Sequence, residues 1–242
     1  MTSYTQLRGQ VDGIRHGAVP DWLTRALVKV ATAPDDATVL CHPLGFLCVP
    51  VWRFDEGGVC VHVWTRRVSA ARPTTSPVHC HSWDLYSLVL AGEVHNHLPR
   101  VVPVAPVRTA PVRMAPVRMA PVRMAPAPTH RLFDVHSHHD MDEIHATGEL
   151  VRCEPGRAES VRAGDVYAMA AGTFHLTDIV GGEAATLVLA HNRPGGRDRT
   201  VGAVYLRDHR VQRAHSDSIT RRWAARAVLQ LLTGPRLVLQ PM

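Results

Sequence analysis

The chain has 242 residues, 45% of them hydrophobic and 20% charged, which supplies a buried core and excludes wholesale disorder, collagen and coiled coil. No apolar run approaches the roughly 18 residues that span a bilayer, and no basic-then-apolar leader opens the sequence, so a cytoplasmic protein without membrane contact is expected. The formal charge of +6 does not signal nucleic-acid binding, because Arg108, Arg113, Arg118 and Arg123 of one low-complexity tract supply four of those charges.

Pro20-Asp21 starts a helix over 20–33, where Trp22, Leu23, Ala26, Leu27 and Val30 recur at helical spacing and Pro34 stops it. A β-rich region follows. Phe46–Phe54 is apolar and β-branched, and Asp55-Glu56-Gly57-Gly58 reads as a turn. Val59, Val61 and Val63 then alternate with Cys60, His62 and Trp64, so the two sets face opposite sides of a strand. Residues 66–77 read as a loop and Val78–His97 as a strand pair, punctuated at 82–84 and at Gly92. From Ala105 the unit Ala-Pro-Val-Arg-Met repeats to Met124, and a proline every five residues forbids helix interior or central strand. That tract is expected to be an extended, solvated loop insertion within 99–129.

Strands resume at Arg131–Val135, Gly148–Cys153, Val166–Met169 and Ala184–His191. Ser216–Leu232 reads as a terminal helix capped by Ser216 or Asp217, with Ile219, Trp223, Ala227 and Leu231 on its apolar face and Gly234-Pro235 at its end. Five cysteines with no C-x-x-C pair read as reduced, buried thiols. Histidine is the unusual count, at 16, and it is clustered.

In a strand, residues two apart share a face, so His79 and His81 can grip one ion. Downstream, Gly164 to His175 reads as strand, tight turn and a third histidine. These two segments resemble the paired motifs of the cupin superfamily. His79, His81 and Gly92 match the first motif, and Gly164, Gly172 and His175 the second. The run from His79 to Gly92 is also loosely similar to the cysteine dioxygenase-like branch. Pro73, Ala170 and Ile179 stand where the motifs have Gly, Pro and Asn, and the motif's acid position falls on Leu85 or Tyr86.

The resemblance covers residues 40–192 and implies a mainly β fold: a single cupin β-barrel, or jelly roll. A helical segment over 1–39 would precede it and a helix-bearing extension over 193–242 would follow. It implies one divalent metal ion, with Fe(II) favoured and Zn or Mn as alternatives, held by His79, His81 and His175. Asp84, one residue short of the usual acid, joins them if a bulge aims it inward; otherwise the centre is three-histidine. Tyr86 and Tyr167 are candidate catalytic residues at the barrel mouth. His95 and His97, with His136, His138 and His139, are candidates for a second site or an extended pocket.

The expected function is an Fe(II)-dependent oxygenase of a small molecule, with no nucleic-acid partner and a homodimer as the option that cupins suggest. A non-redox isomerase, lyase or hydrolase and a non-catalytic binding protein are the alternatives.

Overall fold

The computed structural model describes residues 3–66, 74–104, 128–138 and 140–234. The Ala-Pro-Val-Arg-Met repeat, Pro73, His139 and Pro235 lie outside the described residues. Among the described residues, three α-helices and one antiparallel sheet make up the fold. Helix α1 (Tyr4–Ile14) starts at Ser3, whose hydroxyl accepts from the Gln6 N–H while the Gln6 side chain accepts from the Ser3 N–H. Helix α2 (Asp21–Thr32) follows the predicted span and runs into a 3-10 turn at Pro34–Asp36. Helix α3 (Ser218–Thr233) is capped by Asp217, whose carboxylate accepts from the Thr220 N–H at 2.8 Å.

The strands are β1 (Leu40–His42), β2 (Phe46–Phe54), β3 (Gly57–Trp64), β4 (His79–Cys80), β5 (Trp83–Pro103), β6 (His130–His138) and β7 (Met141–Arg162). They continue as β8 (Val166–Met169), β9 (Leu176–Asn192), β10 (Asp198–Gly202), β11 (His209–Gln212) and β12 (Ala214–His215). Their order in the sheet is β12-β1-β2-β3-β9-β5-β7-β6-β10-β4, with β8 paired to β5 and β11 to β7. At the far end, β4 bridges back to the residue that precedes β9, through paired backbone hydrogen bonds between His79 and His175 of 3.0 and 2.8 Å. Strands after residue 192 are therefore part of the sheet: β10 pairs with both β6 and β4.

Strict alternation sorts the side chains into two layers. Val59, Val61 and Val63 of β3, Leu187 and Leu189 of β9, and Tyr86 and Leu88 of β5 face the helices and pack with Leu7, Leu23 and Leu27. Each of those leucines is fully buried, worth about 1.5–3 kcal/mol. Leu85 and Val89 of β5, Val188 of β9, and Met169 and Tyr167 of β8 face the other way. The parity of β5 switches between Val89 and Ala91, where the register with β9 first shifts, so Ala91 joins the helix-side layer and Val94 the opposite one; a second shift follows between Ala91 and Glu93. Gly92 takes φ +77°, and a Cβ there would stand 2.5 Å from the Glu183 carbonyl oxygen, so the bulge requires glycine.

The terminal helix turns a different face inward from the one its sequence predicts. Ala224, Ala225 and Val228 are its buried residues, and Ile219 is 77% exposed. Small side chains let α3 sit close to α2, while Trp223 and Leu231 cover the edge of that contact only partly buried.

Candidate metal centre

β4 and the start of β5 carry His79, His81, Trp83 and Leu85 on one face, all lining a cavity of about 430 Å³. His175 enters the same cavity from the end of the turn that follows β8. Gly172, at φ +80°, shapes that turn, and its N–H donates to the His81 carbonyl at 2.8 Å. One ligating nitrogen from each of His79, His81 and His175 lies within 4.8 Å of the others. The sequence spacing therefore brings its three predicted histidines together. His81 stacks on Trp83 at 4.1 Å and 19°, which fixes the plane of the ring.

Two of the rings have their tautomer set by backbone. His79 Nδ1 lies 2.9 Å from the Pro77 carbonyl oxygen, and His175 Nδ1 lies 3.1 Å from that of Thr173. A carbonyl only accepts, so Nδ1 carries the proton and Nε2 keeps its lone pair for a metal. Burial holds all three imidazoles in the neutral form. It lowers the pKa of His175 to about 3, that of His81 well below its usual value, and that of His79 below it as well. Neutral, oriented imidazoles suit a borderline transition-metal ion, and three of them leave coordination positions open to the cavity.

Asp84 does not join this cluster. Strand alternation turns it to the helix side of β5, away from His81 and Trp83. One of its carboxylate oxygens accepts from the Ala171 N–H at 2.8 Å, and the other is held by the Arg193 guanidinium. That guanidinium is the main reason its carboxyl titrates below the usual 3.8. The register of β5 shifts only further along the strand, between Val89 and Glu93.

The arrangement predicts the outcome of Asp84→Asn. The variant should keep the metal of the histidine cluster and lose about 1 kcal/mol of stability at neutral pH, a modest figure because Arg193 is half-exposed. The folded-state pKa is depressed, so this stability is complete above the unfolded carboxyl's value and lost as pH falls through the folded one. Urea midpoints of the two proteins should therefore differ at pH 7 and converge below about pH 4. A tenfold weaker metal affinity in the variant would contradict this placement.

Tyr86 shares the outward parity of Asp84 and leaves the cavity altogether. Its hydroxyl donates to Asp12 of α1, and Arg8 sits 4.4 Å above its ring. Tyr167 does line the cavity, with a pKa raised to about 12 by burial, so it offers a neutral hydroxyl there. Cys80, between the two ligand histidines, faces away and is buried, and burial pushes its thiol up to about 11. His95 pairs with Glu93 and His97 with Asp178, while His136 meets His145 edge-on, so these histidines are not drawn into the cluster.

The sequence reading passed over the other wall of the cavity. Cys48 of β2 lies opposite His62 of β3, and Cys60 shares the face of His62. The Cys48 and Cys60 sulfurs lie within 4.8 Å of each other; the interaction with Cys60 is the main influence holding the Cys48 thiol well below the usual value, and the same interaction with burial raises Cys60. The alternation of Cys60, His62 and Trp64 against the valines carried part of this signal; the β2–β3 register carried the rest.

No protein-family model matches this chain, and no curated protein matches it. Among solved structures, a search returns the crystal structure of hydroquinone 1,2-dioxygenase PnpCD in complex with Cd2+ and 4-hydroxybenzonitrile, at 14% sequence identity and a TM-score of 0.31. The likeness covers 60% of this chain and spans 63% of the length of that one. Among the described residues, no helix is long and apolar enough to cross a membrane.

Proposed function

We propose that this chain is a metal-dependent enzyme of the cupin type, an Fe(II) oxygenase acting on a small organic molecule. One observation carries the reading: three neutral imidazoles converge in a cavity of about 430 Å³, and Asp84, the carboxylate that follows the histidine pair, is held by Ala171 and Arg193 instead. The donor set fits a divalent ion, with Nε2 of His79 and His175 left free by their Nδ1–H bonds to carbonyls. Iron bound there would supply the one-electron chemistry that reaction with dioxygen requires. The chain's own contribution is to hold the rings neutral and fixed, and to surround an organic molecule with Phe46, Trp64 and Trp83. Tyr167 offers a neutral hydroxyl, the donor or acceptor through which a polar group of that molecule is oriented. Such a cavity takes a compact substrate, and the volume lies within the range typical of small-molecule sites.

The test is elemental analysis of protein purified without added metal and under exclusion of air, followed by exposure to nitric oxide. Iron in the cluster, with a high-spin iron–nitrosyl resonance that disappears in His175→Ala, is the expected result. Zinc in the cluster with no iron uptake would replace the oxygenase with a non-redox lyase, isomerase or hydrolase.

A further inference from the structure

We propose that Cys48, Cys60 and His62 form a second metal site, taking a thiophilic divalent ion such as Zn2+. Two thiolates and an imidazole are the ligands that favour such an ion over the hard cations magnesium and calcium. The geometry is already assembled. One ligating atom from each of the three lies within 4.8 Å of the others, and Cys60 Sγ stands 3.2 Å from His62 Nε2. The backbone explains why: Cys60 and His62 are two apart on β3, and Cys48 of β2 is in register directly opposite His62.

The histidine cluster is built on the same plan. There the pair two apart is His79 and His81, and His175 is bridged directly opposite His79. Each cluster thus offers three ligands from two adjoining stretches of backbone, and both line the same cavity. Two thiolates balance a divalent charge, so the filled site buries no net charge beside the Phe46 and Trp64 rings that flank His62. The hydrogen bond described for this trio runs within it, from Cys60 to His62.

The proposal does not depend on the function assigned to the histidine cluster, and the test keeps the two apart. The reduced, metal-stripped full chain is titrated with Co2+, then with Zn2+. A thiolate-to-cobalt charge-transfer absorption should grow, saturating within two equivalents in the wild type and at one in His81→Ala, and be bleached by Zn2+. Cys48→Ser and Cys60→Ser should abolish it, and His81→Ala should retain it. In the wild type, Zn2+ should protect Cys48 and Cys60 from alkylation at least tenfold, with Cys41, Cys80 and Cys153 as internal controls read by peptide mass spectrometry. No charge-transfer band in the reduced wild type, or alkylation of Cys48 and Cys60 unchanged by Zn2+, would overturn the proposal. So would a Cys48–Cys60 disulfide in protein whose thiols were blocked at lysis.

Discussion

Replacing His81 with alanine is expected to empty the histidine cluster of metal while leaving the chain folded. The His81 ring lies 4.8 Å from that of His79 and 5.2 Å from that of His175 between centroids, and it is clamped by Trp83. Burial keeps it neutral, so the folded protein already carries the lone pair a metal needs. Loss of a ligating nitrogen should exceed the roughly 10–100-fold that losing only a ligand's hydrogen-bond partner costs. Two imidazoles cannot hold the ion as three do.

Stability should report the same loss. A metal that binds only the folded chain adds about 2.7 kcal/mol at 100 times its dissociation constant. The wild type should show that gain and the variant should show none, with metal-free melting temperatures nearly equal. Both proteins are best compared in a Cys48→Ser background, so that the thiol cluster does not contribute. Equal metal-dependent shifts in the two would remove His81 from the site.

The second large effect is expected at Asp142, on stability. Asp142 of β7 is buried and meets Arg213 through two hydrogen bonds of 2.9 and 2.7 Å, while Ser137 of β6 donates to the same carboxylate at 2.6 Å. Arg213 also lines the cavity, and its own N–H donates to the Asp140 carbonyl, so the network ties the segment between β11 and β12 to β6 and β7. Asp142→Ala would strand a largely buried guanidinium, which typically costs about 3–5 kcal/mol. Pairing it with Arg213→Met removes the stranded charge and should recover a large part of that loss. Urea unfolding of the three proteins measures this, and a single variant within about 0.5 kcal/mol of wild type would show that the network is not a tie.

Strand parity made much of this site legible. His79 and His81 share a face by alternation alone, and the tight turn before His175 was readable from Gly172. The same parity, carried without a bulge, turns Asp84 and Tyr86 away from the cavity, because the register of β5 shifts only beyond them, between Val89 and Glu93. The β2 and β3 strands were visible as alternating apolar runs. That Cys48 faces His62 depends on their cross-strand register, which shifts only beyond that pair, at Pro50 and Trp52. Within the helical segment expected over 1–39, only the helix at 20–33 was placed; α1 carries a weaker pattern, burying only Leu7 and Val11 with glycine at positions 9 and 13. Strand β10 was missed because it is short and two of its five residues are charged; pairing with β6 and β4, distant in sequence, makes it a strand. In α3 the apolar residues ring much of the helix, so periodicity alone did not choose between the Ile219 face and the Ala224 face.

The most direct test of the metal centre is a crystal of iron-loaded protein measured on both sides of the iron absorption edge. An anomalous difference peak roughly 2.0–2.2 Å from one ring nitrogen each of His79, His81 and His175, with Asp84 still on Arg193, is the result expected. Iron-loaded crystals with no peak between those three rings, or with a peak coordinated by Asp84, would contradict it.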